Sequence, residues 1–159
     1  MAKKKILFIV NPISGVGKQR IVETLVPNCL DFSIFDFEIV YTEYAGHASL
    51  IAKNASEDGV DIVVVVGGDG SVNEVAKALV HSETVMGIVP CGSGNGLARC
   101  LKIPMRIENA IKVLNKQKIK TIDTATVNNE PFFNIAGVGY DALIAGLFAR
   151  EGKRGCYRI

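Results

Sequence analysis

Apolar residues in this chain fall into short unbroken runs, and amphipathic stretches separate them. Residues 6–10 (ILFIV) and 61–66 (DIVVVV) read as strands covered on both faces, because a half-exposed strand would alternate with polar positions. Residues 37–42 (FEIVYT) and 85–89 (VMGIV) read as two more strands. Between them the spacing turns helical. Apolar residues at 21, 22, 25 and 26 predict a helix over 18–26, stopped by Pro27. Ala48, Ile51, Ala52 and Ala55 predict one over 47–56, ended by Asp58-Gly59. Val72, Val75, Ala76 and Leu79 predict one over 71–80. A short helix over 97–101 ends at Ile103-Pro104, and another covers 106–115.

This strand–helix alternation predicts an α/β fold of three layers, a parallel sheet between helices, with right-handed crossovers. In such sheets the loops at the carboxyl ends of the strands form the binding crevice. Those loops are NPISG, TEYAGHA, GGDGS and PCGSGNG, and the unusual residues of the chain all fall in them.

The rhythm changes after residue 118. Residues 119–127 (IKTIDTATV) and 130–135 (EPFFNI) read as an antiparallel hairpin about Asn128-Asn129, since Asn tolerates positive φ. An apolar helix over 142–148 follows a glycine turn; it reads as a core helix, with the lining of an apolar ligand site as the alternative. We therefore expect an α/β domain over 1–119 and the beginning of a second domain over 120–159. The second stretch is too short to build its own core, so the chain reads as a fragment of a longer protein.

Composition narrows the function. The chain has 159 residues, is 48% hydrophobic and carries a net charge of +2, with mean hydropathy +0.27. That charge is too small to imply a nucleic-acid partner. The lysines at 3–5 and at 116, 118 and 120 read as solubilising groups. The longest apolar run is far too short to cross a bilayer, and the N-terminus lacks the pattern of a signal peptide. A cytoplasmic location is the expectation. Cys29, Cys91, Cys100 and Cys156 form no C-x-x-C pair, and neither they nor His47 and His81 have metal-ligand spacing.

The glycine loops carry the chemistry. Gly67, Gly68 and Gly70 leave backbone N–H groups uncovered at the top of a strand, just before a helix whose own first N–H groups are unpaired. Together these suit an anion such as phosphate. Ser71 and Glu74 match the S-x-x-E capping box, so both also fit a plain helix start. Asp69 is the anomaly, because a carboxylate repels phosphate. It makes sense holding a divalent cation against the phosphates, as Mg²⁺ is commonly held, or accepting a proton from an attacking hydroxyl. A simple loop-capping role stands beside these. Two familiar nucleotide loops are excluded. Pro12 and Gln19 break the P-loop pattern around Gly17-Lys18, and Gly92, Gly94 and Gly96 follow the fourth strand with the wrong spacing for a dinucleotide fingerprint.

In combination these loops resemble the diacylglycerol kinase catalytic domain family of lipid kinases, which includes sphingosine kinases. The matching pieces are Asn11-Pro12-x-Ser14-Gly15, Thr42 with Gly46-His47-Ala48, Gly67-Gly68-Asp69-Gly70-Ser71-x-Asn73-Glu74-Val75, and Pro90-x-Gly92-Ser93-Gly94-Asn95. Asp123, Phe133-Asn134 and Gly137-x-Gly139-x-Asp141-Ala142 are similar to the family's second domain. The resemblance implies ATP and Mg²⁺ as cofactors, a cleft between two domains, and a second domain that is a mostly antiparallel β-sandwich. It implies transfer of the γ-phosphate to a lipid alcohol, diacylglycerol or sphingoid-like, with peripheral contact at a membrane surface. It places Asn11, Pro12, Ile13, Ser14, Gly15, Thr42, Gly67, Gly68, Asp69, Gly70, Ser71, Val72, Asn73, Gly92, Ser93, Gly94 and Asn95 around the nucleotide. Asp69 is the implied catalytic and metal-binding residue, and Asp69→Asn is expected to abolish transfer without harming the fold. In bacterial members further metal-binding acids, and a glutamate proposed as general base, lie later than Ile159, so the isolated chain is expected to bind nucleotide poorly and to catalyse little. An open cleft and an unfinished sandwich favour self-association. The G-G-D-G loop alone is shared with NAD kinases, so an NAD kinase-like or other soluble-acceptor kinase is the alternative, as is a non-catalytic nucleotide-binding module.

Overall fold

The computed structural model describes residues 2–14 and 21–134, together with 139, 142, 143, 146 and 147. Strands β1 (Lys4–Val10), β2 (Phe35–Tyr41), β3 (Ile62–Gly67) and β4 (Val85–Pro90) pair in parallel in the order β2-β1-β3-β4. Helices α1 (Val22–Cys29), α2 (His47–Glu57), α3 (Asp69–Leu79), α4 (Gly96–Cys100) and α5 (Ile107–Leu114) flank the sheet. The expected α/β architecture is the one observed.

The period-two geometry of a strand explains why the apolar runs are unbroken. Ile6, Phe8 and Val10 of β1, with Ile62, Val64 and Val66 of β3, pack against Val22 and Val26 of α1 and Ile111 of α5. Their neighbours Leu7, Ile9, Val63 and Val65 point the other way, onto Ala48 and Ala52 of α2 and Val72 and Val75 of α3. Both faces are covered, so no position on β3 tolerates water: Val63, Val64, Val65 and Val66 are all fully buried. Each such side chain contributes about 1.5–3 kcal/mol of burial.

The strand order decides where a ligand can sit. The chain moves from β1 outward to β2, then returns to place β3 on the opposite side of β1. The direction of winding therefore reverses between β1 and β3, and the loops leaving these strands diverge to opposite faces. That is where open α/β sheets leave a crevice.

Three local expectations change. Pro27 does not stop α1, which runs through it to Cys29. The proline lies close to the end of the helix, where the Leu30 N–H still closes onto the Val26 carbonyl at 2.9 Å. The predicted start of that helix, residues 18–20, lies outside the described residues. Helix α3 begins at Asp69 rather than at Ser71, because Gly68 takes the capping position in an extended conformation. Ser71 is thus the third residue of the helix and caps nothing, which removes the capping-box reading. The hairpin forms, with β5 (Ala125–Val127) antiparallel to β6 (Glu130–Phe132), but its first strand is much shorter than predicted. Asn128 and Asn129 have φ of 51° and 65°, so both take the left-handed conformation that a tight primed turn demands.

The hairpin leans on the α/β layers. Lys77 of α3 meets Glu130 at 2.6 Å, and Ile122 and Phe133 pack against the α2–α3 core. Leu143 and Leu147, both within the predicted helix, are 59% and 48% exposed. Residues 135–138 and most of those beyond 139, including the remainder of the predicted helix, Asp141 and Cys156, lie outside the described residues. So does the β-sandwich expected to follow.

Candidate functional site

The carboxyl ends of the strands collect nearly every predicted site residue into one region. Among the described residues the buried polar side chains are Ser14, Thr42, Ser71 and Asn95, and all four belong to those loops. Polar groups are ordinarily excluded from a core unless they are hydrogen-bonded. Their concentration at one end of the sheet marks the place where the fold departs from pure packing.

Three direct links hold the loops together. Asn11, just past β1, donates from Nδ2 to Ser71 Oγ at 2.9 Å, joining the first loop to α3. Its Oδ1 accepts the Ile13 N–H at 3.0 Å, which shapes the NPIS turn. The second link is a close approach of backbones. A Cβ built on Gly92 would lie 2.6 Å from Gly68 Cα, so the loops after β3 and β4 touch through bare glycines. The Cys91 N–H also donates to the Gly67 carbonyl at 2.8 Å.

Asp69 supplies the third link. Its Oδ2 accepts the Asn95 N–H at 2.8 Å and its Oδ1 accepts the Gly96 N–H at 2.6 Å. These amides open α4, so the carboxylate of α3 caps a second helix across the crevice. Such a pair is favoured by charge and by the positive end of the helix. The loop-capping role that stood beside the metal and base roles is therefore realised in the geometry. Asp69 remains exposed, and its position beside the crevice is compatible with the other two.

The rest of the fourth loop is fastened by Asn95 itself. Its Oδ1 accepts the Gly92 N–H at 2.9 Å, and its Nδ2 donates to the Gly92 carbonyl at 2.7 Å. Its φ of 56° is tolerated by asparagine better than by most residues. Arg99 adds a bond from Nε to the Gly94 carbonyl at 2.8 Å. Neither clamp was anticipated from the sequence, although an Asn following glycines is a signal for a left-handed residue.

At α3 the first helical bond runs from the Val72 N–H to the Gly68 carbonyl at 3.0 Å. The amides of Asp69, Gly70 and Ser71 precede it and have no acceptor within the helix. Among the described residues no side chain caps this end, and a Cβ on Gly70 would meet nothing within 4 Å. The start of the helix thus offers N–H donors, with room beside Gly70 among the described residues. Val72 departs from expectation. Its side chain is in the core and its N–H is spent within the helix, so it has neither group to offer a ligand. Asn73, Ser93, Gly94, Pro12 and Ile13 are exposed, while Gly15 lies outside the described residues. Asn134, a predicted second-domain residue, sits against Gly96, so close that a Cβ there would collide with its amide.

Beside Asn11 and Ser71 the surface sinks into a hollow of about 150 Å³. Thr42, Glu43 and Tyr44 from the second loop and Glu74 from α3 are part of its wall, with Ile13, Ala45 and Ala48. Thr42 was expected here. Glu43 and Tyr44 were not, because nothing in their local pattern distinguishes them from surface residues.

A family model for the diacylglycerol kinase catalytic domain matches residues 5–127. The chain belongs to that family. It is 32% identical over 156 residues to an uncharacterised protein of Synechocystis, covering 92% of this chain and 36% of that one. It is 30% identical over 141 residues to a diacylglycerol kinase of Staphylococcus aureus, covering 86% of this chain and 44% of the relative. A solved diacylglycerol kinase structure from Bacillus anthracis superposes with a TM-score of 0.72 at 30% identity, covering 83% of this chain and 49% of that one. The chain thus spans less than half the length of these relatives. Among the described residues no helix is long and apolar enough to cross a membrane.

Proposed function

We propose that this chain forms the nucleotide-binding part of an ATP-dependent lipid kinase, which moves the γ-phosphate of ATP to a lipid hydroxyl. The observation that carries the reading is the junction at Asp69. One carboxylate ties the loop after β3 to the loop after β4, while Asn11 ties α3 to the loop after β1. Such fastening produces a rigid rim of backbone amides before any ligand arrives, which is what catalysis by positioning requires.

In this reading the triphosphate lies over the start of α3, where the amides of Asp69, Gly70 and Ser71 have no acceptor within the helix. Ser14, Ser71 and Ser93 belong to the loops that border that path. The donor set fits Mg²⁺. Among the described residues no three His, Cys, Asp or Glu side chains cluster, but Mg²⁺ is ordinarily held by one or two carboxylates with phosphate oxygens and water. Each Asp69 oxygen accepts one N–H and keeps a lone pair for such a contact. The ion would supply charge neutralisation at the phosphates. The residues of the chain do the rest: they orient the γ-phosphate and hold the loops still. The acceptor approaches from a membrane surface, since its hydroxyl is anchored in lipid.

An acceptor panel tests the reading. Diacylglycerol, sphingosine, a long polyprenol and NAD are each offered with radiolabelled ATP to the protein that carries this chain. Label on a lipid alcohol is the expected result; label on NAD alone would sink it.

A further inference from the structure

The hollow beside Thr42 has a chemistry opposite to that of the amide rim. Glu43 and Glu74 line it, and two carboxylates repel a phosphate. At about 150 Å³ it is smaller than pockets that swallow a whole small-molecule ligand, so it takes one part of one. The same wall carries Tyr44, whose side chain belongs to a residue left 57% exposed.

Tyr44 is not loose. Its ring lies parallel to the His47 imidazole, with centroids 4.4 Å apart and planes 3° from coplanar. His47 is held in turn, its Nδ1 accepting the Glu43 N–H at 3.1 Å and its own N–H donating to the Tyr44 carbonyl at 3.2 Å. Gly46, with φ of +86°, makes the turn that brings the two rings together, a conformation other residues rarely adopt. One face of the tyrosine is thus backed by an imidazole whose own position is fixed by the backbone.

We infer that Tyr44, backed by His47, is the stacking platform for the nucleobase, and that Glu43 and Glu74 select a base bearing an exocyclic amine. The inference deepens the nucleotide reading above and rests on it. The base packs on the tyrosine ring, its amino group donates to a carboxylate, and the phosphates run away from the acids toward the start of α3. Tyr44 acts as a specificity and positioning residue.

Calorimetric titration of the protein that carries this chain with ATP, ITP and inorganic tripolyphosphate tests this. Base–aromatic stacking predicts that Tyr44→Ala weakens ATP binding by about fivefold to a hundredfold, while Tyr44→Phe stays close to the wild type. Tripolyphosphate, which has no base, binds both variants as it binds the wild type. ITP, which carries a carbonyl in place of the amine, binds the wild type more weakly than ATP, and Glu74→Gln narrows that gap. A second reading comes from NMR, in which the Tyr44 and His47 ring protons shift with ATP and not with tripolyphosphate. Equal ATP affinity in the wild type and a folded Tyr44→Ala overturns the platform and leaves the nucleotide reading standing. A Tyr44→Phe as weak as Tyr44→Ala assigns the effect to the hydroxyl and overturns stacking. Equal affinity for ATP and ITP overturns the role of the acids. A wild-type protein carrying this chain that binds neither ATP nor tripolyphosphate overturns both this inference and the function it rests on.

Discussion

Replacing Asp69 with asparagine tests the junction between the third and fourth loops. The carboxylate accepts two backbone N–H groups, one on each oxygen, from Asn95 and Gly96. An asparagine keeps one accepting oxygen and turns an NH₂ group toward the other donor. One hydrogen bond survives and one becomes a donor–donor clash that water must relieve. Hydrogen bonds to charged groups contribute about 1.5–3 kcal/mol. Asp69 is exposed and water can replace part of the loss, so the cost to stability is about 1–2 kcal/mol. The loop is folded tightly on this group, since a Cβ on Gly94 would fall 2.6 Å from Asp69 Oδ2. The expectation that Asp69→Asn leaves the fold untouched therefore gives way to a measurable destabilisation. Urea denaturation should show a midpoint lower by roughly 0.5–1 M with an unchanged slope. Hydrogen exchange should show the Asn95 and Gly96 amides losing protection. A variant with wild-type midpoint and unchanged exchange at both amides would refute the capping role, and any loss of phosphoryl transfer would then belong to chemistry alone.

Asn95→Ala removes both bonds to Gly92 and leaves a left-handed residue without its local support, a loss of about 2–3 kcal/mol, whereas Asn95→Gly restores the backbone freedom and recovers part of it; equal stability of the two variants in chemical denaturation would contradict this. Gly87→Ala on β4 should cost about 1–3 kcal/mol by overpacking, because its Cβ would sit 2.9 Å from Val64 Cγ2 and 3.1 Å from Leu114 Cδ2, and a thermal melt at or above the wild-type value would show that the layer can yield. The hydrogen bond from Lys77, and then its charge, hold the Glu130 carboxyl below the usual glutamate value. That contact therefore contributes fully above the unfolded glutamate pKa and is lost as pH falls through the lower folded value. Carbon NMR of the Glu130 carboxyl should titrate below the ordinary range in the wild type and return to it in Lys77→Met; an ordinary midpoint in both would remove the bridge.

Much of the architecture was legible along the chain. The runs at 6–10 and 62–66 had to be strands buried on both faces, because neither contains a position that could meet water. The Asn128-Asn129 turn was legible for the same local reason, since few residues other than glycine take positive φ cheaply. The glycine loops could be placed at one edge of the sheet from the alternation alone.

What each loop residue touches depended on the tertiary structure. Asp69 and Asn95 are 26 positions apart, and nothing near either names the other as its partner. Their meeting follows from β3 and β4 lying side by side, just as the Asn11–Ser71 bond follows from β1 and β3 doing so. The start of α3 moved to Asp69 because Gly68 could take an extended capping geometry, whereas the S-x-x-E pattern at Ser71 suggested a cap two residues later. Tyr44 looked like any surface residue until the turn at Gly46 laid it on His47. Periodicity is a local property, fixed by which side chains must leave water, and the sequence by itself determined it. The order of strands in the sheet is a property of the whole chain, and only that order decided which loops would share a crevice and which of their polar groups would be spent on one another.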